Sequence, residues 1–388
     1  MLNAPVNMLV RSPLIIVCDW IPPAFGAVGQ YELASAREAV QSGRCVTLIG
    51  LGSSYTNDEE AYPNGTLKIV RIPAQSANKA STFSRALWAL SVSARLLQEV
   101  RRAVQGLSAC EIKVTGSPPF FAYLILLWRL VQSGVTITYR ITDFYPETAF
   151  AAGKAMALRP VLPLIHALRR TSDRIEALSP CQALRLQESG VPKDRIMMVR
   201  DPSPVAITPD VIPAQRPFPR GDAILLYSGN LGIAHDWLTF AEAYRQHIRY
   251  GSNRLRLWLN ATGIGIKDLH AFCELHELPV HVTQPVPLEA LPGVLMAADA
   301  HLVSLKEPFW GYVIPSKIYG CLATNRPVLY IGPAQSDLHA LVSGYPRNYS
   351  VRNGDVKTAS EALETIAIAV PNTTEHPNSR FNSISSPV

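Results

Sequence analysis

The stretch GYVIPSKIYGCLATNRPVLYI, Gly311–Ile331, sets a Pro-Ser-Lys turn ahead of a short helical segment, then a second proline, then a run of β-type apolar residues. It reads as a loop, a helix over Ser316–Thr324 and a buried strand over Val328–Ile331. Ser316 is placed to cap the helix by accepting a hydrogen bond from a free backbone N–H. The remaining N–H groups and the helix dipole favour an anion at that end, and Lys317 adds a full positive charge at the same point. A phosphate is the expected guest. The alternative is a capped helix with one exposed lysine.

The same rhythm runs outward through the chain. Leu14–Cys18, Cys45–Gly50, Leu67–Arg71, Glu111–Thr115, Thr136–Thr142 and Arg174–Leu178 read as strands. Tyr31–Ser42, residues 82–105, Phe120–Ser133 and Val161–Thr171 read as the helices between them. After a break, strands at Ala223–Tyr227, Leu255–Leu259, Val280–Thr283, Ala300–Ser304 and Val328–Ile331 alternate with helices at Trp237–Tyr250, Lys267–His276, Leu288–Ala297, Ser316–Thr324 and Val356–Ala369. Apolar strands alternating with helices predict parallel sheets covered on both faces.

The break holds Pro202, Pro204, Pro209, Pro213, Pro217 and Pro219 and reads as an interdomain linker. The expected organisation is a first domain over residues 1–200, a proline-rich linker over 201–221, a second domain over 222–370 and a disordered tail over 371–388. Two such α/β domains leave a cleft at the strand carboxyl ends, where ligands of open sheets bind.

The 388 residues carry a formal net charge of +6. Up to Val205 there are 22 Lys+Arg against 15 Asp+Glu, a net of +7; from Ala206 onward 14 stand against 15, a net of −1. No Lys/Arg block or aromatic-basic interleaving speaks for nucleic acid. An anionic membrane face or a phosphorylated lipid fits the basic first half better, with ordinary solvated charge as the plainer account. The longest apolar run, Phe120–Trp128, is too short to cross a bilayer, and the amino terminus does not read as a signal peptide. Six cysteines without a C-x-x-C pair argue against zinc and a disulfide framework, and for a reducing cytoplasm. In helix 82–105, Phe83, Leu87, Leu90, Ala94 and Leu97 form a stripe at helical spacing that is expected to face the core, with membrane docking as the alternative.

Three further loops follow strands. Pro22–Gly29 contains Gly26 and Gly29, which permit a tight turn and close approach of backbone to a ligand. Asp143-Phe144-Tyr145-Pro146-Glu147-Thr148 puts Asp143 at a strand end, as a base or as a holder of a sugar hydroxyl, with Glu147 four residues on. The plainer account has Asp143 capping the next helix and Glu147 solvated. Tyr227-Ser228-Gly229-Asn230-Leu231-Gly232 is a strand entering a glycine-rich loop, followed by His235 and Asp236. His235 is a candidate phosphate donor, although an ordinary surface histidine is slightly favoured.

Taken in order, these segments resemble the GT-B-fold glycosyltransferases of the large retaining family four, nearest to bacterial members that build envelope and capsule polysaccharides. The resemblance rests on Asp143–Thr148, Ser172–Pro180, Gly190–Ile196, Tyr227–Gly232, Ala298-Asp299, Pro315–Tyr319 and Arg326–Val328. It implies an α/β fold of two Rossmann-like domains facing each other across a cleft. It implies transfer of a sugar from a nucleotide-diphosphate donor to a glycan or lipid-linked acceptor, with retention, without a bound metal or other cofactor. Asp143 and Lys317 would carry the chemistry. Gly29, Gly229, Asn230, Pro315, Ser316, Lys317 and Ile318 would meet the donor, and Gly26, Glu147 and His235 the acceptor or its loops. The expected location is cytoplasmic, peripheral at the inner face of the plasma membrane. The family's two glutamates fall on Tyr312 and Gly320 here, its basic pair falls on Asn230 and Asp236, and its Gly-x-Gly loop reads Asn260–Gly265. A catalytically degenerate protein that binds another transferase is therefore the competing expectation. A nucleotide-sugar epimerase is a third, weakened by the lack of a carboxylate-rich set in the second domain.

Overall fold

The computed structural model describes residues 12–24, 27–75, 82–201, 203, 205–219 and 221–370. Gly26 and the tail 371–388 lie outside the described residues, as does the side chain of Phe83. The chain divides into two compact units, Met1–Asp201 with Gly311–Ile314, and Pro202–Trp310 with Pro315–Val388.

The first unit runs β1 (Leu14–Trp20), α1 (Ala27–Gln41), β2 (Val46–Gly52), β3 (Thr56–Tyr62), β4 (Gly65–Pro73), α2 (Thr82–Val104), β5 (Cys110–Thr115), α3 (Phe121–Arg129), β6 (Val135–Ile141), α4 (Glu147–Ala151), α5 (Leu162–Arg169), β7 (Arg174–Ala177), α6 (Pro180–Glu188) and β8 (Ile196–Met198). Its sheet has the order β3-β4-β2-β1-β5-β6-β7-β8, parallel except for β3. β1 is apolar from Leu14 to Cys18 because both faces are covered. Ile15 and Val17 pack with α2, α3 and α6, while Leu14, Ile16 and Cys18 pack with Leu33, Ala36 and Val40 of α1. The alternation is the strand's period of two.

The second unit runs β9 (Ala223–Asn230), α7 (Leu238–Tyr250), β10 (Leu255–Thr262), α8 (Ile264–Leu275), β11 (Val280–Thr283), α9 (Leu291–Ala297), β12 (Ala300–Ser304), α10 (Lys317–Ala323), β13 (Val328–Ile331), α11 (Asp337–Ser343), β14 (Tyr349–Val351) and α12 (Val356–Ala369). Its sheet, β11-β10-β9-β12-β13-β14, is parallel throughout. Leu225 and Tyr227 pack with α7, α8 and α12, and Ile224 and Leu226 pack with Val294 and Leu295 of α9. Both units are Rossmann-like. Leaving out β3 and the outermost β8, each sheet has the order third-second-first-fourth-fifth-sixth, so the winding reverses between β1 and β5 and between β9 and β12. Ligands of such sheets bind at the carboxyl ends beside that reversal.

Several local expectations are corrected. β3 (TNDEEAY) has no apolar pattern, yet it pairs antiparallel with β4 at the sheet edge. Arg37–Glu60 at 2.7 Å and Arg71–Asp58 at 2.5 Å hold it there. β8, β14 and α11 were also not expected. The first two are three-residue edge strands, too short to show a period. Of the stripe expected on α2, only Leu97 is buried in the core among the described side chains. Ala94 is exposed, and Leu87 and Leu90 are more than half exposed, whereas Ala89, Val92, Leu96, Val100 and Val104 are buried. α2 carries two apolar stripes, and spacing alone does not choose between them.

Within the first unit, charge is buried as a network. Lys113 lies 3.1 Å from Glu32 and 3.2 Å from Glu176, and Arg140 reaches Glu176 at 2.8 Å and Asp201 at 2.5 Å. Asp201, the last residue of the first stretch, is thereby tied to the strands of its own sheet. Removing one member would strand the others in low dielectric.

Candidate functional site

In the second unit the carboxyl end of β9 is Tyr227-Ser228-Gly229-Asn230, and α10 begins with Lys317. The two meet. The Lys317 Nζ stands 3.5 Å from the centroid of the Tyr227 ring. Gly229 takes φ +110, and a Cβ there would sit 3.7 Å from that ammonium. Lys317 as a residue is half-buried, but its Nζ is shut from water and has no hydrogen-bond acceptor among the described residues. Burial lowers its pKa from the ordinary 10.5 to about 7, against a small opposing effect of Cys321. The aromatic face returns part of the lost solvation.

His235 lines the same end of the sheet. The expectation of a surface histidine is overturned: His235 is 8% exposed, with Nδ1 2.6 Å from the carbonyl oxygen of Ser304 at the end of β12. Its ring meets Tyr227 edge-on at 6.0 Å. Burial, then the charge of Lys317, lower its pKa to about 3. The ring is therefore neutral near pH 7, with Nδ1–H donating to Ser304. Asp236 is also buried and caps α7, accepting from the Thr239 backbone N–H at 3.2 Å and hydroxyl at 2.6 Å. Asn353 donates to Asp236 at 2.7 Å and to the Leu305 carbonyl at 2.9 Å. The Ser304 hydroxyl and the Asn353 Oδ1 are buried without partners among the described residues.

The start of α10 differs from expectation. Ser316 makes no side-chain cap, since its own backbone is already helical (φ −59, ψ −19). The N–H groups of Ile318 and Tyr319 donate to the carbonyls of Pro315 and Ser316 at 3.1 and 3.2 Å. Fewer amides are thus open to an anion than the sequence suggested, and the charge of Lys317 carries more of the site. Pro315 and Ile318 are buried and position the turn, whereas Asn230 is exposed.

In the first unit, Asp143 follows β6. It does not cap α4, whose N-cap is Pro146 without a side-chain bond. Its side chain is exposed, yet surrounding protein raises its carboxyl to about 6 by desolvation. With water in contact, much of that penalty is screened. Glu147 is not solvated. It is 6% exposed and accepts two hydrogen bonds from the fully buried Arg169, one of them at 2.9 Å. Burial pushes the Glu147 carboxyl up, but the hydrogen bond and charge of Arg169 outweigh it, and the net shift is downward. Arg169 also donates to Tyr123 at 2.7 Å and to the Tyr145 carbonyl at 2.9 Å, and it lies 5.0 Å from the Phe144 ring. The pair fixes the loop that presents Asp143.

Gly29 lies inside α1, which begins four residues earlier than expected. A Cβ there would overlap the Trp20 carbonyl, so the glycine lets α1 pack on the end of β1. At the reversal between β1 and β5, the Ser117 hydroxyl donates to Asp19 at 2.8 Å, and burial raises the Asp19 carboxyl. Asp19 and Ser304 were not singled out from sequence. The usable signal was a lone polar residue closing an apolar strand beside the reversal.

No family model matches the chain, and no curated protein is significantly similar to it in sequence. Solved structures do match. Sucrose-phosphate synthase from Thermosynechococcus elongatus superposes with a TM-score of 0.70 at 15% identity, covering 92% of this chain and 90% of that one. WaaG, a glycosyltransferase involved in lipopolysaccharide biosynthesis, gives 0.60 at 15% identity, with 91% and 90% covered. HepE of Anabaena, solved with UDP and glucose, gives 0.62 at 10% identity, with 92% and 89% covered. At these identities the likeness establishes the fold: two α/β Rossmann-like domains of the GT-B type. No described helix is long and apolar enough to cross a membrane, and no group of three or more His, Cys, Asp or Glu among the described residues could hold a metal ion.

Proposed function

We propose that the chain is a glycosyltransferase that moves a sugar from a nucleotide-diphosphate donor to an envelope-glycan or lipid-linked acceptor, with retention. The observation that carries this reading is the Lys317 ammonium, shut from water and without an acceptor among the described residues, beside Gly229 at the carboxyl end of β9. A buried cation with no partner costs folding free energy, and a diphosphate supplies the missing charge. In the reaction the bond between the sugar's anomeric carbon and the phosphate oxygen breaks, and an acceptor hydroxyl bonds to that carbon while its proton passes to the departing phosphate oxygen or to the Asp143 carboxylate. Lys317 then neutralises the negative charge that develops on the departing diphosphate. Gly229 and Asn230 bring backbone close to the phosphates, and Ser316 adds a hydroxyl. The second domain holds the donor and the first the acceptor. Asp143 supplies the sugar-side carboxylate, as base or as orienter. Glu147 acts through Arg169 on the loop that carries it. Membership of the capsule and envelope branch of family four, and peripheral attachment to the inner membrane face, belong to the same proposal.

Purified protein is incubated with UDP-, GDP- and TDP-sugars and followed by thermal protection and donor hydrolysis. Protection by one nucleotide class is expected, and indifference to all of them would refute the reading. A second reading, a degenerate protein that binds another transferase, is favoured by the absence of a carboxylate at Gly320, which is buried in α10. Under it Lys317→Ala leaves complementation in cells intact. Under the first reading the same change lowers turnover by about 10²-fold.

A further inference from the structure

From Thr148 to Ser172 the chain has no Asp or Glu and carries Lys154, Arg159, Arg169 and Arg170. Of these cations Arg169 is turned inward onto Glu147, and Arg170 donates to the Ser189 carbonyl at 3.0 Å. The segment opens with α4 and continues into a 3₁₀ turn, Met156–Val161, of which no residue is buried. The apolar side chains of this turn and of the first turn of α5 face water: Met156 is 44%, Leu158 41%, Val161 41% and Leu164 58% exposed. Lys154 and Arg159 are exposed beside them. α5 is fastened to the unit from beneath through the buried Leu168 and Arg169, with Ile165 packed against the core and His166 Nε2 3.3 Å from Glu147.

We propose that this ledge, Lys154–Leu164, docks the first domain on an anionic lipid surface. Four exposed apolar side chains in succession are costly in water and fit the depth of a headgroup layer. Cations on long stems at their margin reach back to lipid phosphates. The lack of any acid over this stretch removes the repulsion an anionic surface would otherwise meet, and it disfavours a basic protein partner. Only α4 separates the ledge from the Asp143–Glu147 loop in the chain, so docking brings that loop to the lipid headgroups. The proposal does not depend on sugar transfer, because lipid binding is measured without donor or turnover.

The test is co-sedimentation of the full chain with phosphatidylcholine vesicles, with and without phosphatidylglycerol, at low and high salt. Binding to the anionic vesicles that weakens with salt is expected. L158S/L164S should lower the partition by about tenfold on both lipids. K154E/R159E should lower it about tenfold or more on anionic vesicles only. Unchanged melting of both variants separates these effects from misfolding. Variants that partition like the parent, or a parent that does not partition at low salt, would overturn the proposal. So would a concentration-dependent dimer dissolved by L158S/L164S, which would give the ledge to a second copy of the chain.

Discussion

Lys317 makes a pH-dependent prediction whose sign and size follow from its surroundings. Without ligand its pKa is lowered to about 7 by burial. A bound diphosphate raises it again, so binding takes up a proton between the two values. Affinity is then fully present below about pH 7 and is lost as pH rises above it. From pH 6 to pH 8 the protonated fraction of a group with a pKa of about 7 falls from about nine tenths to one tenth. Affinity for a nucleotide sugar should therefore drop about tenfold, about 1.4 kcal/mol. A nucleotide sugar is the right probe, because its diphosphate is a diester and stays ionised across this range, unlike free UDP. His235, already at about 3, does not titrate there.

Calorimetry in buffers of different ionisation enthalpy reads both the affinity and the proton uptake. Lys317→Met should abolish the pH dependence. It should also stabilise the ligand-free protein, since it removes a buried charge without a partner. The sign is fixed: a lysine whose folded pKa lies below the unfolded one destabilises the fold most below about pH 7, and the penalty fades as pH climbs towards 10.5. The gain should be about 1–3 kcal/mol at pH 6 and smaller at pH 9. Flat affinity from pH 6 to 8, or the same slope in Lys317→Met, would refute the assignment of a diphosphate to this ammonium.

Three more outcomes follow. Asp143→Asn should lower turnover by about 10²–10⁴-fold with donor affinity unchanged if this carboxylate moves a proton; a loss confined to donor binding in calorimetry would remove it from the chemistry. Glu147→Ala leaves Arg169 buried without its carboxylate and should cost about 3–5 kcal/mol in denaturant unfolding. Because the Glu147 carboxyl is held below its ordinary 4.5, that contribution is present above this value and is lost on acidification through the lowered one. Gly29→Ala sets a methyl group against the Trp20 carbonyl, with backbone on both sides, and should cost about 1–3 kcal/mol or more; a melting temperature equal to the parent's would return Gly29 to a ligand-contact role.

The alternation of helices and strands was legible because the central apolar runs are covered on both faces and the longer helices span several turns. Where that physics is absent, the reading failed. β3 is polar because an edge strand has one neighbour and faces water, and its ion pairs are invisible until Arg37 and Arg71 are brought beside it. The buried face of α2 depends on α3, which packs alongside, and not on its own spacing. The same division holds for the site. Gly229 and Lys317 could be found because glycine and lysine after a strand carry local meaning. His235 and Glu147 could not be weighed, since both are decided by partners 69 and 22 residues away.

The capping role given to Ser316 shows how the error and the insight were linked. The expected anion rested on free amides at a helix start, and the structure closes two of those amides with short-range bonds. What remains is a cation beside an aromatic face, a stronger attractor for phosphate than the dipole of a seven-residue helix, because it is a whole charge held out of water. Tyr227 connects the two halves of this arrangement. It ends the apolar run that builds β9, supports the ammonium with its ring and meets His235 with its edge. Truncating Tyr227 to leucine would keep the core filled and remove the aromatic face. Lys317 would then be more strongly desolvated and its pKa lower still, so the fall in affinity with pH should begin below pH 7.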